Sequence, residues 1–306
     1  MTLAYLLGLA FATLVTATAA GQVLRCVVRS DGGRATLANV NLRIGAWWVL
    51  CGVIALALVA GDGTVVAVFA GLSCLALREF VALSGERCPP LYSLWTLTAI
   101  LYALIPAGGY ETFSMLVPLG GVIYFPLRAA LRGDTERCLE RAAGAAWCLS
   151  VCAYGVSHAP ALATLHIRGY EGRNTTILFY YLLVVQSSDV FQYCWGKLGG
   201  RRPIAPLVSP NKTWEGFLGG ILTSTVLGVL LYRATPFQPL QAAVICLAIT
   251  LAGFAGGLVL SAIKRDRGVK DFGTIVSGHG GVLDRLDSIC FSAPVFFYLV
   301  KCFYAS

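Results

Sequence analysis

Apolar runs close to 20 residues long recur along the whole chain, and they constrain its fold more than any other feature. A helix needs about 20 consecutive apolar residues to cross the hydrocarbon core of a bilayer. Only 12% of the residues are charged, against roughly 25% in a soluble domain. The pattern predicts an all-α, polytopic helical membrane protein with about nine or ten transmembrane helices. The apolar segments are 2–24, 44–61, 63–83, 91–107, 111–127, 142–164, 175–196, 215–232, 240–263 and 285–302.

The stretches between these segments are too short for a separate soluble domain. We therefore expect one integrated membrane domain, with N-terminal helices in residues 1–174 and C-terminal helices with polar loops in residues 175–306. The fourth and fifth segments are short and contain Pro106 and Pro118, so a kinked hairpin is an alternative to two clean spans there. The 11 cysteines form no C-x-x-C pair, which indicates apolar packing rather than a zinc site.

Basic residues are distributed unevenly between the loops. With ten spans, 19 of the 23 Lys and Arg residues lie on one side of the membrane and 4 on the other. Cytoplasmic loops carry such an excess, so loops 197–214 and 264–284 are predicted to share the cytoplasmic face. This bias, together with anionic lipid and nucleotide phosphates as partners, accounts for the net charge of +8. Nucleic acid is therefore not expected as a partner.

One polar segment, Ser261–Asp287, contains five basic residues, four carboxylates, a histidine and five glycines. Such a cluster adds no stability to a membrane protein, which indicates chemistry at the membrane surface. Lys and Arg suit phosphates, glycines allow close backbone approach, and carboxylates suit Mg²⁺. Asp284 and Asp287 would share one helix face, where a cation would relieve their repulsion. The candidates here are Ser261, Lys264, Arg265, Lys270, Asp271, His279, Gly280, Gly281, Asp284, Arg285 and Asp287.

A second candidate element lies inside the seventh apolar segment. Asp189 is charged, and an intramembrane carboxylate usually marks a functional site or has a buried partner. Tyr193 and Gly196 follow at helical spacing on the same face. The alternative is a structural ion pair between Asp189 and a neighbouring arginine.

A third element is the polar loop 208–216. Pro210 and Asn211 predict a turn there, and Thr213 is placed to cap the following helix. Lys212 is a point charge suited to phosphate. A capped turn alone would explain much of this loop, but it does not explain Lys212, Trp214 and Glu215 together. The candidates in this loop are Ser209, Lys212, Thr213, Trp214 and Glu215.

The three elements resemble the signatures of the phosphatidate cytidylyltransferases (CDP-diacylglycerol synthases). That family's C-terminal pattern is S-x-x-K-R, four residues, K-D, then H-G-G, two residues and D-R-x-D, and Ser261–Asp287 matches it. The D-x-x-x-Y-x-x-G element is matched from Asp189, and S-P-x-K-T-W-E-G is matched from Ser209. The resemblance covers about residues 186–303; before that it rests on hydropathy and on a weak element, Arg78-Glu79.

The resemblance implies a membrane nucleotidyltransferase that forms CDP-diacylglycerol and pyrophosphate from CTP and phosphatidate, with Mg²⁺ as cofactor. It also implies the bacterial cytoplasmic membrane, with the site on the cytoplasmic face, and it leaves a homodimer open. The implied catalytic residues are Asp284, His279, Asp189 and Lys264, with His279 as a proton carrier or phosphate donor. The implied substrate-binding residues are Ser209, Lys212, Thr213, Trp214, Glu215, Tyr193, Ser261, Arg265, Lys270, Gly280, Gly281 and Arg285. The implied metal ligands are Asp284, Asp287, Asp271 and Asp189.

One position departs from the family. Many members carry G-D-L shortly before S-x-x-K-R, and here Gly257 stands in place of that aspartate. Either Asp189, Asp271, Asp284 and Asp287 suffice for the metal, or the chain belongs to a divergent subgroup with altered metal use or another lipid phosphate as substrate. Two further alternatives are an inactive homologue that acts as an assembly factor and a transporter that uses Asp189 as a coupling carboxylate. Charge clustered at one face rather than along a midplane path disfavours the transporter.

Overall fold

A computed structural model describes residues 2–27, 31–84, 91–133, 135–273 and 280–305, and most of these residues are helical. The N-terminal helices are α1 (Leu3–Val27), α2 (Asp31–Ala60), α3 (Asp62–Ser84), α4 (Leu91–Ala103), α5 (Tyr110–Phe113) and α6 (Leu116–Leu131). They are followed by α7 (Cys138–Leu149), α8 (Val156–Ala161), α9 (Asn174–Gly199), α10 (Trp214–Leu230), α11 (Pro239–Asp266) and α12 (Leu283–Tyr304). The predicted all-α class is confirmed.

The apolar segments of the sequence are largely helical in the structure, although the fifth is broken between α5 and α6 and the sixth is also interrupted. A π-helical turn, Ser150–Gly155, separates α7 from α8. Of the prolines in the fourth and fifth segments, Pro106 follows the end of α4, Pro118 lies in the first turn of α6, and Pro126 lies inside α6. A missing N–H costs nothing in a first turn, whereas Pro126 removes one hydrogen bond within α6.

Four helices of the described residues are long and apolar enough to cross a membrane, which makes this a polytopic membrane protein. The count of nine or ten spans stays a prediction, as does the division at residue 174. The four helices are Leu3–Arg25, Asp62–Leu83, Pro239–Asp266 and Leu283–Tyr304.

The polar loop between α9 and α10 forms an antiparallel hairpin of β1 (Pro203–Ala205) and β2 (Ser209–Thr213). The prediction of a turn at Pro210 and Asn211 is wrong, because both residues lie in β2. The chain turns earlier, where the Val208 N–H donates to the Ala205 carbonyl at 3.1 Å. Pro206 follows Ala205, at the position where its fixed φ favours a turn, while Pro210 is tolerated in a two-stranded hairpin.

Glycines bring the helices of the C-terminal half into backbone contact. A Cβ on Gly220 of α10 would lie 2.7 Å from the backbone nitrogen of Gln192 on α9. Similarly, a Cβ on Gly256 of α11 would collide with the backbone carbonyl of Asp287 on α12. Small residues permit such close helix packing in membranes. The polar ends of these helices are held together as a result.

Buried polar pairs fix α9 against α12. The hydroxyls of Tyr181 and Ser292 lie 2.7 Å apart, and both residues are buried. The Tyr181 ring also stacks on Phe296, with ring centroids 4.9 Å apart. A satisfied buried hydroxyl pair is specific, since leaving either partner unpaired costs about 1–3 kcal/mol. The pairing sets the register of α9 and so fixes the position of Asp189 two turns further along.

Candidate active site

Asp284, in the first turn of α12, joins three segments of the chain. Its Oδ1 accepts a hydrogen bond from Lys264 Nζ at 2.7 Å. Its Oδ2 accepts from the backbone N–H groups of Phe272 at 2.8 Å and Gly281 at 2.9 Å. The Asp284 side chain is only 7% exposed. The carboxylate therefore connects the end of α11, the following loop and the start of α12.

Glu79 of α3 occupies the same end of α12. Its Oε1 accepts from the Val282 N–H and its Oε2 from the Leu283 N–H, both at 2.8 Å. Glu79 is buried, and Gly273 lies so close that a Cβ there would be 2.6 Å from Oε1. Carboxylates are favoured at helix N-termini, where they bind otherwise unpaired N–H groups. In this arrangement the N-terminus of α12 is satisfied by Glu79 and is not open to a phosphate.

Only a weak signal in the sequence indicates this role of Glu79. Arg78 and Glu79 are ionisable residues inside an apolar segment, which is the signal that marks a buried functional carboxylate. Pairing Glu79 with α12 requires a contact across 203 positions of the chain, which local periodicity cannot supply.

Asp189 and Asp287 form a second pair of carboxylates, between α9 and α12. Ser288 Oγ donates to Asp189 Oδ2 at 2.7 Å, and the Ser288 N–H donates to Asp287 Oδ1 at 2.8 Å. The two carboxylates are close enough to repel each other. Ser288 was missed from the sequence, although it directly follows the D-R-x-D pattern. The helical spacing that predicted a shared face for Asp284 and Asp287 holds, since both lie on α12.

Lys212, on β2, reaches this carboxylate pair from the hairpin. Its Nζ lies 4.8 Å from the centroid of the Phe254 ring. Burial lowers the pKa of the Lys212 ammonium, while the nearby carboxylates of Asp287 and Asp189 oppose that effect. A cation beside two carboxylates offsets part of their repulsion. Each aspartate of the D-R-x-D pattern therefore has a lysine nearby, Lys264 for Asp284 and Lys212 for Asp287.

Gly257 faces this cluster. A Cβ at Gly257 would lie 2.9 Å from Lys212 Nζ and 3.4 Å from Asp287 Oδ2. The space left by the missing side chain therefore lies between the ammonium and the carboxylate. The neighbouring Gly256 instead packs against backbone of α12, so the two glycines have different roles.

Several candidate substrate-binding residues hold the loops of the site in place. Thr213 Oγ1 accepts from the Gly216 N–H at 3.2 Å and caps α10, as predicted. Glu215 Oε2 accepts from the N–H groups of Arg201 and Arg202 at 3.0 and 3.2 Å. Their assignment to substrate binding stays a prediction.

A second group of candidates spans the two polar loops. Arg265 Nε donates to the Val208 carbonyl at 3.1 Å, which joins the hairpin to the end of α11. Ser261 Oγ donates to the Gly257 carbonyl of the preceding turn at 2.6 Å. The hydrogen bond between Arg265 and Val208 brings loops 197–214 and 264–284 together, as expected.

The other candidates lie around this cluster. Asp271 is exposed, and its Oδ1 would lie 3.2 Å from a Cβ on Gly280, which has a positive φ of 83°. His279 lies outside the described residues. Ser209 begins β2, Trp214, Tyr193 and Lys270 are exposed, and Arg285 is half-buried on α12.

The described residues contain no group of three or more His, Cys, Asp and Glu side chains arranged around a common metal position. Mg²⁺ at nucleotide sites is typically held by one or two carboxylates, with the remaining ligands from substrate phosphates and water. Asp189 and Asp287 offer such a pair of hard oxygen donors, so they fit this type of site. The oxygens of Asp284 are already hydrogen-bonded, to Lys264 and two N–H groups. Asp284 and Asp271 as metal ligands stay predictions.

The fold and this cluster define a helical integral membrane protein with a charged site at the ends of its helices. The model of the "Cytidylyltransferase family" matches residues 41–303. The chain therefore belongs to the cytidylyltransferase family.

Individual relatives agree with this placement. The chain is 37% identical over 297 residues, 95% of this chain and 96% of the relative, to "Uncharacterized protein YnbB" of Escherichia coli (strain K12). It is 30% identical over 241 residues, 76% of this chain and 88% of the relative, to a "Phosphatidate cytidylyltransferase" of Staphylococcus aureus (strain COL). A protein of that name from Bacillus subtilis (strain 168) is 40% identical over 141 residues, 45% of this chain and about half (52%) of the relative.

Proposed function

We propose that this protein is a membrane cytidylyltransferase that joins CTP to a lipid phosphate, phosphatidate in the first instance, and releases pyrophosphate. The observation that carries the proposal is the meeting of three distant sequence elements in one cluster. Asp189, Lys212 and Asp287 come from α9, β2 and α12, and they interact electrostatically with one another. Family membership supports the reaction class, and the names of the relatives support phosphatidate.

The lipid phosphate can attack without first losing a proton to the protein. A phosphate monoester has a second pKa of about 6 and is largely a dianion at neutral pH. One of its oxygens attacks the α-phosphorus of CTP, a new oxygen–phosphorus bond forms, and the bond to the β-phosphate oxygen breaks. Pyrophosphate leaves with that electron pair. Transfer of this kind depends on positioning and on charge neutralisation rather than on covalent help from the protein.

The chain supplies both of these contributions. Lys212 and Lys264 carry the positive charge next to the carboxylates and would neutralise phosphate oxygens. Glu79 and Asp284 hold the turn that carries the D-R-x-D pattern, so the charged groups are fixed before substrate binds. Asp189 and Asp287 would hold Mg²⁺, which when bound supplies additional positive charge to the triphosphate. For His279 we keep the roles of proton carrier or phosphate donor.

Another lipid phosphate is the second candidate for the substrate. The match to the Escherichia coli protein covers 95% of this chain, whereas the matches to the cited phosphatidate cytidylyltransferases cover 45% and 76%. Gly257 also faces the cluster at the position where many members carry an aspartate. Both observations favour a subgroup with its own lipid preference or metal use.

Purified protein in detergent, incubated with labelled CTP, Mg²⁺ and a panel of lipid phosphates, tests the proposal. Formation of CDP-diacylglycerol from phosphatidate is the expected result. Turnover only with a polyprenyl or ether-lipid phosphate would assign the second candidate. No turnover with any lipid, from protein that still binds CTP, would identify an inactive homologue and contradict the proposal.

A further inference from the structure

A cavity of ≈ 150 Å³ lies between the N-terminal helices α1, α2 and α3 and the site helices α9 and α12. Its walls are almost wholly apolar and include Ala10, Leu50, Phe69, Leu183 and Leu286. An apolar cavity of about this size stays dry and takes apolar molecules such as benzene. The occupant that fits the walls is therefore a hydrocarbon.

The polar residues of the lining are Gln186, Ser187 and Arg285, which come from the parts of α9 and α12 next to Asp189 and Asp284. We call this part of the lining the polar end of the cavity. Arg285 is the one charged residue among the described residues that line it, and it is half-buried. Gln186, which also lines the cavity, donates from Nε2 to the Arg285 carbonyl at 3.5 Å. An arginine at the end of a hydrocarbon cavity suits a ligand with an apolar chain and an anionic head, because guanidinium groups bind phosphate well.

The polar end adjoins the candidate active site across α12. Arg285 lies between Asp284 and Asp287 in the sequence, but Arg285, Leu286 and Ile289 line the cavity while Asp284 is bonded to Lys264 on another side. A phosphate at Arg285 would thus lie near Asp287, which we assign to Mg²⁺.

We propose that this cavity binds one acyl chain of the lipid phosphate substrate, with Arg285 next to its phosphate, an inference that rests on the proposed function. A benzene-sized space holds about six carbon atoms. The cavity therefore takes a segment of the chain, and the remainder lies among the helices or in the bilayer. Ala10, at the wall contributed by α1, precedes the 41–303 family match.

A photoreactive phosphatidate with a diazirine in one acyl chain tests this inference without turnover. It is added to the purified full-length protein in the absence of CTP, irradiated, and its attachment points are mapped by mass spectrometry. We expect labelling of the cavity walls on α2 and α9. Ala10→Phe fills the space and should reduce that labelling by roughly tenfold, since each buried methylene contributes about fourfold in affinity. Ala12→Phe is the matched control, because Ala12 is exposed on the same helix and does not line the cavity.

Kinetics give a second readout. Ala10→Phe should raise the KM for dioleoyl phosphatidate by roughly tenfold, on the same estimate, and leave the KM for CTP unchanged. Labelling confined to the outer helix faces, or undiminished in Ala10→Phe, would overturn the inference. Equal labelling by a photoreactive phosphatidylcholine would also overturn it, because the cavity would then hold bulk lipid. Cavity labelling without any CDP-lipid formation would instead contradict the proposed function and leave the binding site in place.

Discussion

Glu79 on α3 and Asp284 on α12 both bind backbone N–H groups at the start of α12, and Asp284 also binds one from the loop after α11. Glu79 accepts from Val282 and Leu283, and Asp284 accepts from Gly281 and Phe272. The two carboxylates together satisfy four N–H groups that would otherwise be unpaired near the membrane. The N-terminal helices are therefore part of the site, although the family signatures lie in the C-terminal half.

Glu79→Gln should destabilise the protein and impair nucleotide turnover together. The amide retains the size of the side chain, but its NH₂ group would face a backbone N–H, and a buried unpaired donor costs about 1–3 kcal/mol. Thermal unfolding in detergent measures the loss. Glu140→Gln is the control, since the Glu140 side chain is 64% exposed and surface pairs contribute little. Equal stability of the two variants would show that the contact with α12 is not important.

Asp284→Asn should abolish CTP turnover while membrane expression stays near normal. The carbonyl oxygen of asparagine can accept from both N–H groups, as Oδ2 does, but the side chain loses the charge that pairs with Lys264. Asp266→Asn is a matched control in the same polar segment, because Asp266 is 74% exposed. Asp284→Asn activity above about a tenth of wild type, where tenfold corresponds to ~1.4 kcal/mol, would contradict an essential role.

Gly257→Asp should strengthen divalent-cation binding. The new side chain would meet Lys212 Nζ, the mobile end of a long side chain, and would lie next to Asp287 Oδ2. We expect the Mg²⁺ concentration for half-maximal activity, and the Kd for Mn²⁺ measured by electron paramagnetic resonance, to fall roughly threefold or more.

Gly256→Ala is the contrasting variant at the adjacent position. Its Cβ would meet backbone of α12 rather than a flexible side chain, so it should destabilise the protein by about 1–3 kcal/mol through overpacking. If Gly257→Asp folded and left both metal measurements unchanged, position 257 would not contribute to the cation site.

The side of the membrane on which the site lies can be tested with two native cysteines. Cys138 precedes the sixth apolar segment and Cys302 is the final residue of the last, so the ten-span prediction places them near opposite faces of the membrane. In variants that retain one cysteine each, an impermeant maleimide should label Cys302 in intact cells and Cys138 only after permeabilisation. Labelling of Cys138 in sealed cells would overturn the span count and the cytoplasmic location.

The sequence predicted the elements of this protein better than their contacts. Hydrophobic run length identified the helices, since burial in lipid leaves few alternatives to a helix. Motif spacing placed Asp284 and Asp287 on one helix. Motif spacing could not predict the pairing of Asp284 with Lys264, because that contact depends on how α11 packs against α12. The same limit explains why the partner of Glu79 was missed.

Residue types that favour turns also led to one wrong prediction. Pro210 and Asn211 are typical turn residues, yet both lie in β2. The turn is formed earlier, around Pro206, and the residues from Ser209 to Thr213 pair with β1. Lys212 therefore extends from a strand towards Gly257 rather than from a flexible turn. A two-stranded hairpin this short has no hydrophobic periodicity from which to predict it.

Cytidylyl transfer to a lipid phosphate is tested most directly by tracing labelled phosphate from CTP. Purified protein with Mg²⁺ and phosphatidate is supplied with CTP labelled in either the α- or the γ-phosphate, and Asp287→Asn serves as the inactive comparison. We predict that α-label enters the lipid fraction, that γ-label is released as pyrophosphate, and that Asp287→Asn does neither. Release of γ-label as inorganic phosphate, with no label in any lipid, would contradict cytidylyl transfer.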